Sequence, residues 1–133
     1  MSQTNLELEA VSRALQAVHK QILEAEGAYL PGRSAMELLD KLLHDPEWAW
    51  LRALSHLIAQ LDEKLAAPDE LTPGEVAAAA QRVRALLFGR GELRDEQFLK
   101  RYRPLLQVSP ALASAHGELK RQIDALLPEP LNA

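Results

Sequence analysis

The sequence predicts an all-α protein, a single helical bundle of five to six helices with long first, third and last helices. Three observations carry that expectation. Apolar side chains recur at alternating spacings of three and four, the period that keeps them on one face of a helix. Residues that start and stop helices punctuate the ends of those apolar stretches. No segment sustains the period-two alternation of a half-buried strand, and β-branched residues are scarce.

Thr4-Asn5-Leu6-Glu7 reads as a capping box, in which hydroxyl and carboxylate each satisfy an orphan backbone donor. Leu8, Val11, Leu15, Val18, Ile22 and Ala25 then form one stripe of a long helix that ends near Tyr29 and is stopped by Pro31-Gly32. Ser34-Ala35-Met36-Glu37 is a second capping box, followed by Leu38, Leu39, Leu42 and Leu43 on a short helix. Asp45-Pro46 breaks that helix and starts the next, since Asp suits an N-cap and Pro the first helical position. Trp50, Leu51, Leu54, Leu57, Ile58, Leu61 and Leu65 give this third helix a wide apolar arc, which marks it as the candidate central helix.

Thr72-Pro73-Gly74-Glu75 opens a fourth helix whose buried side is Val76, Ala79, Ala80, Val83, Leu86 and Leu87, and Gly89 and Gly91 end it. Asp95 caps a fifth helix bearing Phe98, Leu99, Tyr102, Leu105 and Leu106, with Pro104 expected to kink it or stop it near Arg103. Ser109-Pro110 starts the last helix, with Leu112, His116, Leu119, Ile123 and Leu126 inward. Pro128-Glu129-Pro130 ends regular structure, so the domain is expected over 1–127 and a loose tail over 128–133.

The chain has 133 residues, 47% hydrophobic and 26% charged, which is ordinary globular usage and enough to build one core without staples. The absence of cysteine excludes disulfides, thiolate catalysis and Cys-ligated metal centres. No basic stretch leads into an apolar core at the N-terminus and no apolar run reaches membrane-spanning length, so a soluble, cytoplasmic protein is expected. The net charge of −4 is uneven: 6 Lys/Arg against 13 Asp/Glu over 1–81, 7 against 3 over 82–103, and 2 against 3 over 104–133. A basic segment in an acidic protein attracts an anionic partner or one of the protein's own acidic faces.

No assembled catalytic set appears. His-Glu-x-x-His and Glu-x-x-His are both missing, and Asp40 with His44 makes at most two ligands, so no metal or cofactor is expected. No Gly-x-Ser-x-Gly elbow is present, and Gly89-Arg90-Gly91 is too short for a phosphate loop. His116 stands out because it lies on the apolar stripe beside Gly117. It is either a core histidine bonded to a neighbouring helix, the favoured reading, or a general base or ligand contact in a cavity. His19 and His56 are expected on the surface.

Two binding readings follow. Arg82, Arg84, Arg90, Arg94, Lys100, Arg101 and Arg103 could contact phosphates, with Tyr102 available for stacking. Phe98, Leu99 and Tyr102 nevertheless share one face of that helix, which favours a half-buried helix with a solvated basic side. Trp48 lies on the flank opposite Trp50 and, if exposed, suits a partner contact.

Asp45-Pro46-Glu47-Trp48-Ala49-Trp50-Leu51-Arg52 and Arg103-Pro104-Leu105-Leu106-Gln107, followed by Ser109-Pro110 and His116-Gly117, resemble short all-helical bacterial proteins of unknown function over most of the chain. The resemblance implies a small intracellular helical bundle and brings no activity with it. The expected role is a non-catalytic interaction or regulatory module that binds an unknown protein partner or a second copy. A nucleic-acid-associated protein, or a ligand-binding protein built on His116, is the alternative.

Overall fold

Helices account for the regular structure of the computed structural model, which describes residues 3–25, 36, 37, 44, 46–92 and 94–127. Among the described residues there are five α-helices and no strand. They are α1 (Gln3–Ala25), α2 (Arg52–Ala66), α3 (Pro73–Phe88), α4 (Glu96–Val108) and α5 (Pro110–Leu126). Short 3-10 helices, Pro46–Leu51 and Pro68–Glu70, lead into α2 and follow it. No helix among the described residues is long and apolar enough to cross a membrane.

The local grammar accounts for most of the helix starts. Thr72, Asp95 and Ser109 each sit in extended backbone and accept a side-chain hydrogen bond from the amide three residues on, at 3.2, 3.0 and 3.1 Å. Glu75 turns its carboxylate to the Thr72 hydroxyl at 3.3 Å and to Lys64 at 3.2 Å, which ties the end of α2 to the start of α3. Gly89 closes α3 in the left-handed conformation at φ 66°.

Four expectations are corrected. α1 already includes Gln3, so Thr4 lies within the first turn rather than outside it as a cap. The segment from Pro46 is helical, but its first six residues wind as a 3-10 helix before α2 proper. α4 runs through Pro104 to Val108, so of the two outcomes expected there the stop near Arg103 does not occur. The ring removes the amide that would bond the Lys100 carbonyl, and both residues are exposed, so water can take that role. The fourth correction concerns the centre of the molecule.

Among the described residues α1, not the helix beginning at 46, buries the most side chains. It buries eight residues where α2 buries three. Leu8, Val11, Leu15, Val18 and Ile22 make the stripe, while Ser12 and Ala14 are small enough to widen the buried arc. α1 packs most extensively along α5 and also against α2 and α3, and α5 in turn contacts α3 and α4. The short helix expected after Ser34, with its capping box, lies outside the described residues except for Met36, Glu37 and His44, which are helical. The stop at Pro31-Gly32 and the tail 128–133 also lie outside them.

Candidate functional site

The Asp95 cap sets the phase of α4 so that Phe98, Leu99 and Tyr102 point inward. Ser109 and Pro110 set α5 so that Leu112, Leu119 and Ile123 are buried and His116 is half-buried on the same side. The two helices bring Tyr102 and His116 together, with the phenol oxygen 2.7 Å from the imidazole Nδ1. Tyr102 is fully buried, and burial pushes its pKa well above the usual phenol range. His116 packs edge-on against Phe88, with ring centroids 4.9 Å apart and an interplanar angle of 85°.

The phenol proton decides the tautomer. The one partner of the buried Tyr102 hydroxyl among the described residues is Nδ1, so the O–H donates there and the imidazole proton sits on Nε2. The lone pair a general base needs is already taken. Beside Gly117 the space is open, since a Cβ there would meet only Arg121 Nη1, at 4.0 Å. The pair belongs to an aromatic row in which Trp50 meets Phe98 at 5.4 Å, Phe98 meets Tyr102 at 5.2 Å, and Tyr102 meets His116 at 5.6 Å.

Burial and the nearby Lys120 ammonium hold the His116 pKa below its ordinary 6.5, and burial alone does the same for His19. His19 is therefore not the surface residue expected of it: it is half-buried, and its Nε2 has no partner among the described residues. A signal was present in the spacing. Asn5, Ser12 and His19 fall seven apart on one flank of α1, and that flank is inside. His56 is exposed, as expected.

Folded-state depression of both histidines makes stability pH-dependent with a definite sign. The unfolded chain takes up protons below pH 6.5 that the folded chain resists, so stability is full above that value and falls as pH drops toward the folded-state values. Urea unfolding midpoints across this range should decline with acidity, and a double variant His19→Gln, His116→Gln should flatten the slope.

The basic segment is largely engaged within the molecule. Arg94 pairs with Glu96 at 2.7 Å, and the Arg101 guanidinium lies 5.5 Å from the centre of the Trp50 ring. Arg103 lies against Gly89, its Nη2 2.6 Å from where a Cβ would stand, so its charge sits at the C-terminal end of α3. Arg84 donates to the Leu127 carbonyl at 2.6 Å, capping α5. Arg82, Arg90 and Lys100 are exposed. The backbone of Trp48 lies in the first 3-10 helix, and its side chain is outside the described residues. The half-buried Trp50 ring carries an indole N–H that is buried and has no partner among the described residues.

Two grooves mark the described surface. One, of about 280 Å³, is lined by Gln81, Arg84, Ala85, Arg90, Gly91 and Glu92, so it sets both charge signs side by side. The other, of about 200 Å³, is lined by Glu63, Lys64, Ala67, Glu70, Leu71 and Glu75, with Lys64 paired to Glu75. His116 lines neither. Among the described residues no group of three or more histidine or carboxylate side chains is placed to hold a metal ion. Asp40 lies outside the described residues and His44 is exposed. No protein-family profile, no curated protein and no solved structure matches the chain.

Proposed function

We propose that this protein is a non-catalytic interaction module: one cytoplasmic helical-bundle domain over 1–127, of five to six helices framed by its long first, third and last ones. The observation that carries the reading is the apolar corner where α4 turns into α5. Val108 is 74% exposed there. Pro104, one turn before it on the same face, is exposed, as are Pro110 and Ala111 just beyond. Leu105 and Leu106 are packed against the core only in part. A well-capped corner has no structural need of an apolar tip, whereas a protein contact does.

Phosphate binding by the 82–103 segment has weaker support, because Arg84, Arg94, Arg101 and Arg103 already have neighbours within the fold. The resemblance to short helical bacterial proteins fits the module reading and adds no chemistry to it.

The test is association. In sizing with light scattering, the full chain is expected to run heavier than its 14.8 kDa mass or to retain a protein partner. Val108→Asp is expected to abolish this while leaving unfolding stability within about 0.5 kcal/mol, as for other exposed positions. A strictly monomeric wild type with no retained partner overturns the reading, as does an association that Val108→Asp leaves intact.

A further inference from the structure

We propose that Tyr102 and His116 form an acid-sensitive latch, which holds α4 against α5 while the imidazole is neutral and loosens it when the imidazole takes a proton. In the neutral state the phenol donates to Nδ1 over 2.7 Å. A proton arriving on the ring lands on Nδ1, because Nε2 already carries one. Two donors then face each other across that distance. The phenol oxygen can accept from Nδ1–H, but its own proton is left without an acceptor in a fully buried site. If the imidazolium instead swings toward solvent, the phenol loses its partner altogether. Either outcome leaves a buried hydroxyl unsatisfied.

The surroundings sharpen the effect. Phe88 from α3 and Tyr102 from α4 face the ring, and Lys120, one turn along α5, is the charged group that bears on it. Arg103 of α4 lies against Gly89, the residue after Phe88, and adds positive charge at the end of α3. α1 packs on α5 as well, and among the described residues Lys120 is the charge that acts on the ring.

The element at stake rests on few anchors. α4 has thirteen residues and buries only three, Phe98, Leu99 and Tyr102, whereas α3 buries seven. A helix of that length is marginal without its packing face. Unsettling one of three anchors therefore loosens the whole element and uncovers Phe98 and Leu99. This latch is independent of whether the Val108 corner binds a partner.

Hydrogen exchange along α4, corrected for intrinsic rates, tests it on the full chain between about pH 7.5 and about pH 5.5. Protection at Phe98, Leu99 and Tyr102 is expected to fall about tenfold in the wild type, the scale set by one unpaired buried donor. Tyr102→Phe removes the stranded hydroxyl, and His116→Gln keeps an acceptor that does not titrate. Each is expected to reduce the acid response by more than half, while His19→Gln leaves it in place. The proposal is overturned by a wild type whose α4 protection does not change with acidity. It is equally overturned if either latch variant keeps more than half of the response, or if His19→Gln removes it.

Discussion

Replacing Phe98 by alanine is expected to destabilise the fold by about 3–5 kcal/mol, the usual range for emptying a fully buried aromatic site. The ring is 0% exposed and lies between Trp50 and Tyr102, so its loss removes two aromatic contacts along with the burial. The space left is bounded by Trp50 on the first 3-10 helix and Tyr102 on α4, within the buried core. Neither can close it without disturbing that core. The urea midpoint measures the effect. Leu6→Ala serves as the contrast, because Leu6 is 50% exposed and its truncation should stay within about 0.5 kcal/mol. Equal effects from the two substitutions would show that the aromatic row does not anchor α4.

Gly89→Ala is expected to destabilise by about 2–4 kcal/mol, combining a left-handed backbone penalty with local overpacking. The backbone at Gly89 has φ 66°, and a Cβ there would stand 2.9 Å from Leu99 Cδ1 and 2.6 Å from Arg103 Nη2. The guanidinium is the end of a flexible chain and can move aside. Leu99 is in the core and cannot do so without displacing α4. Two other glycines separate the contributions. At Gly91, φ is 102° and nothing lies within 4 Å of a Cβ, so Gly91→Ala should show the backbone penalty alone. Gly117 is within α5 with open space beside it, so Gly117→Ala should stabilise by about 0.5–1 kcal/mol. Thermal or urea unfolding of the three variants reads the order and the change of sign.

Much of the helix grammar was legible from residue types alone. The caps at Thr72, Asp95 and Ser109 and the buried stripe of α3 fall where spacing and chemistry put them. Each is decided within about four residues, by which side chain can reach an unpaired amide or which positions share a face. The first turn of α1 and the passage of α4 through Pro104 were less legible. There, one cap residue or one missing amide does not decide the outcome, because an exposed carbonyl can bond to water instead.

The site divides in the same way. The placement of His116 and Tyr102 on inward faces was legible, each from its own helix. Their hydrogen bond was not, because it depends on how two separately phased helices meet. The bond from Arg84 to the Leu127 carbonyl spans 43 residues, and no local pattern announces it. The basic segment therefore read as a face toward solvent or phosphate, while several of its arginines serve helix ends and an aromatic ring within the molecule.

By itself, the order of residues determined that this chain is helical, where most of its helices begin and end, and which faces are apolar. Those outcomes follow from backbone hydrogen bonding and from a period of 3.6 residues, both of which act over a few positions. Only the tertiary structure decided that α1 packs against three other helices, that His19 is half-buried, and that Tyr102 hydrogen-bonds to His116. Many helix pairings satisfy the same apolar stripes. The choice among them rests on close packing and on satisfying buried polar groups between segments distant in the chain.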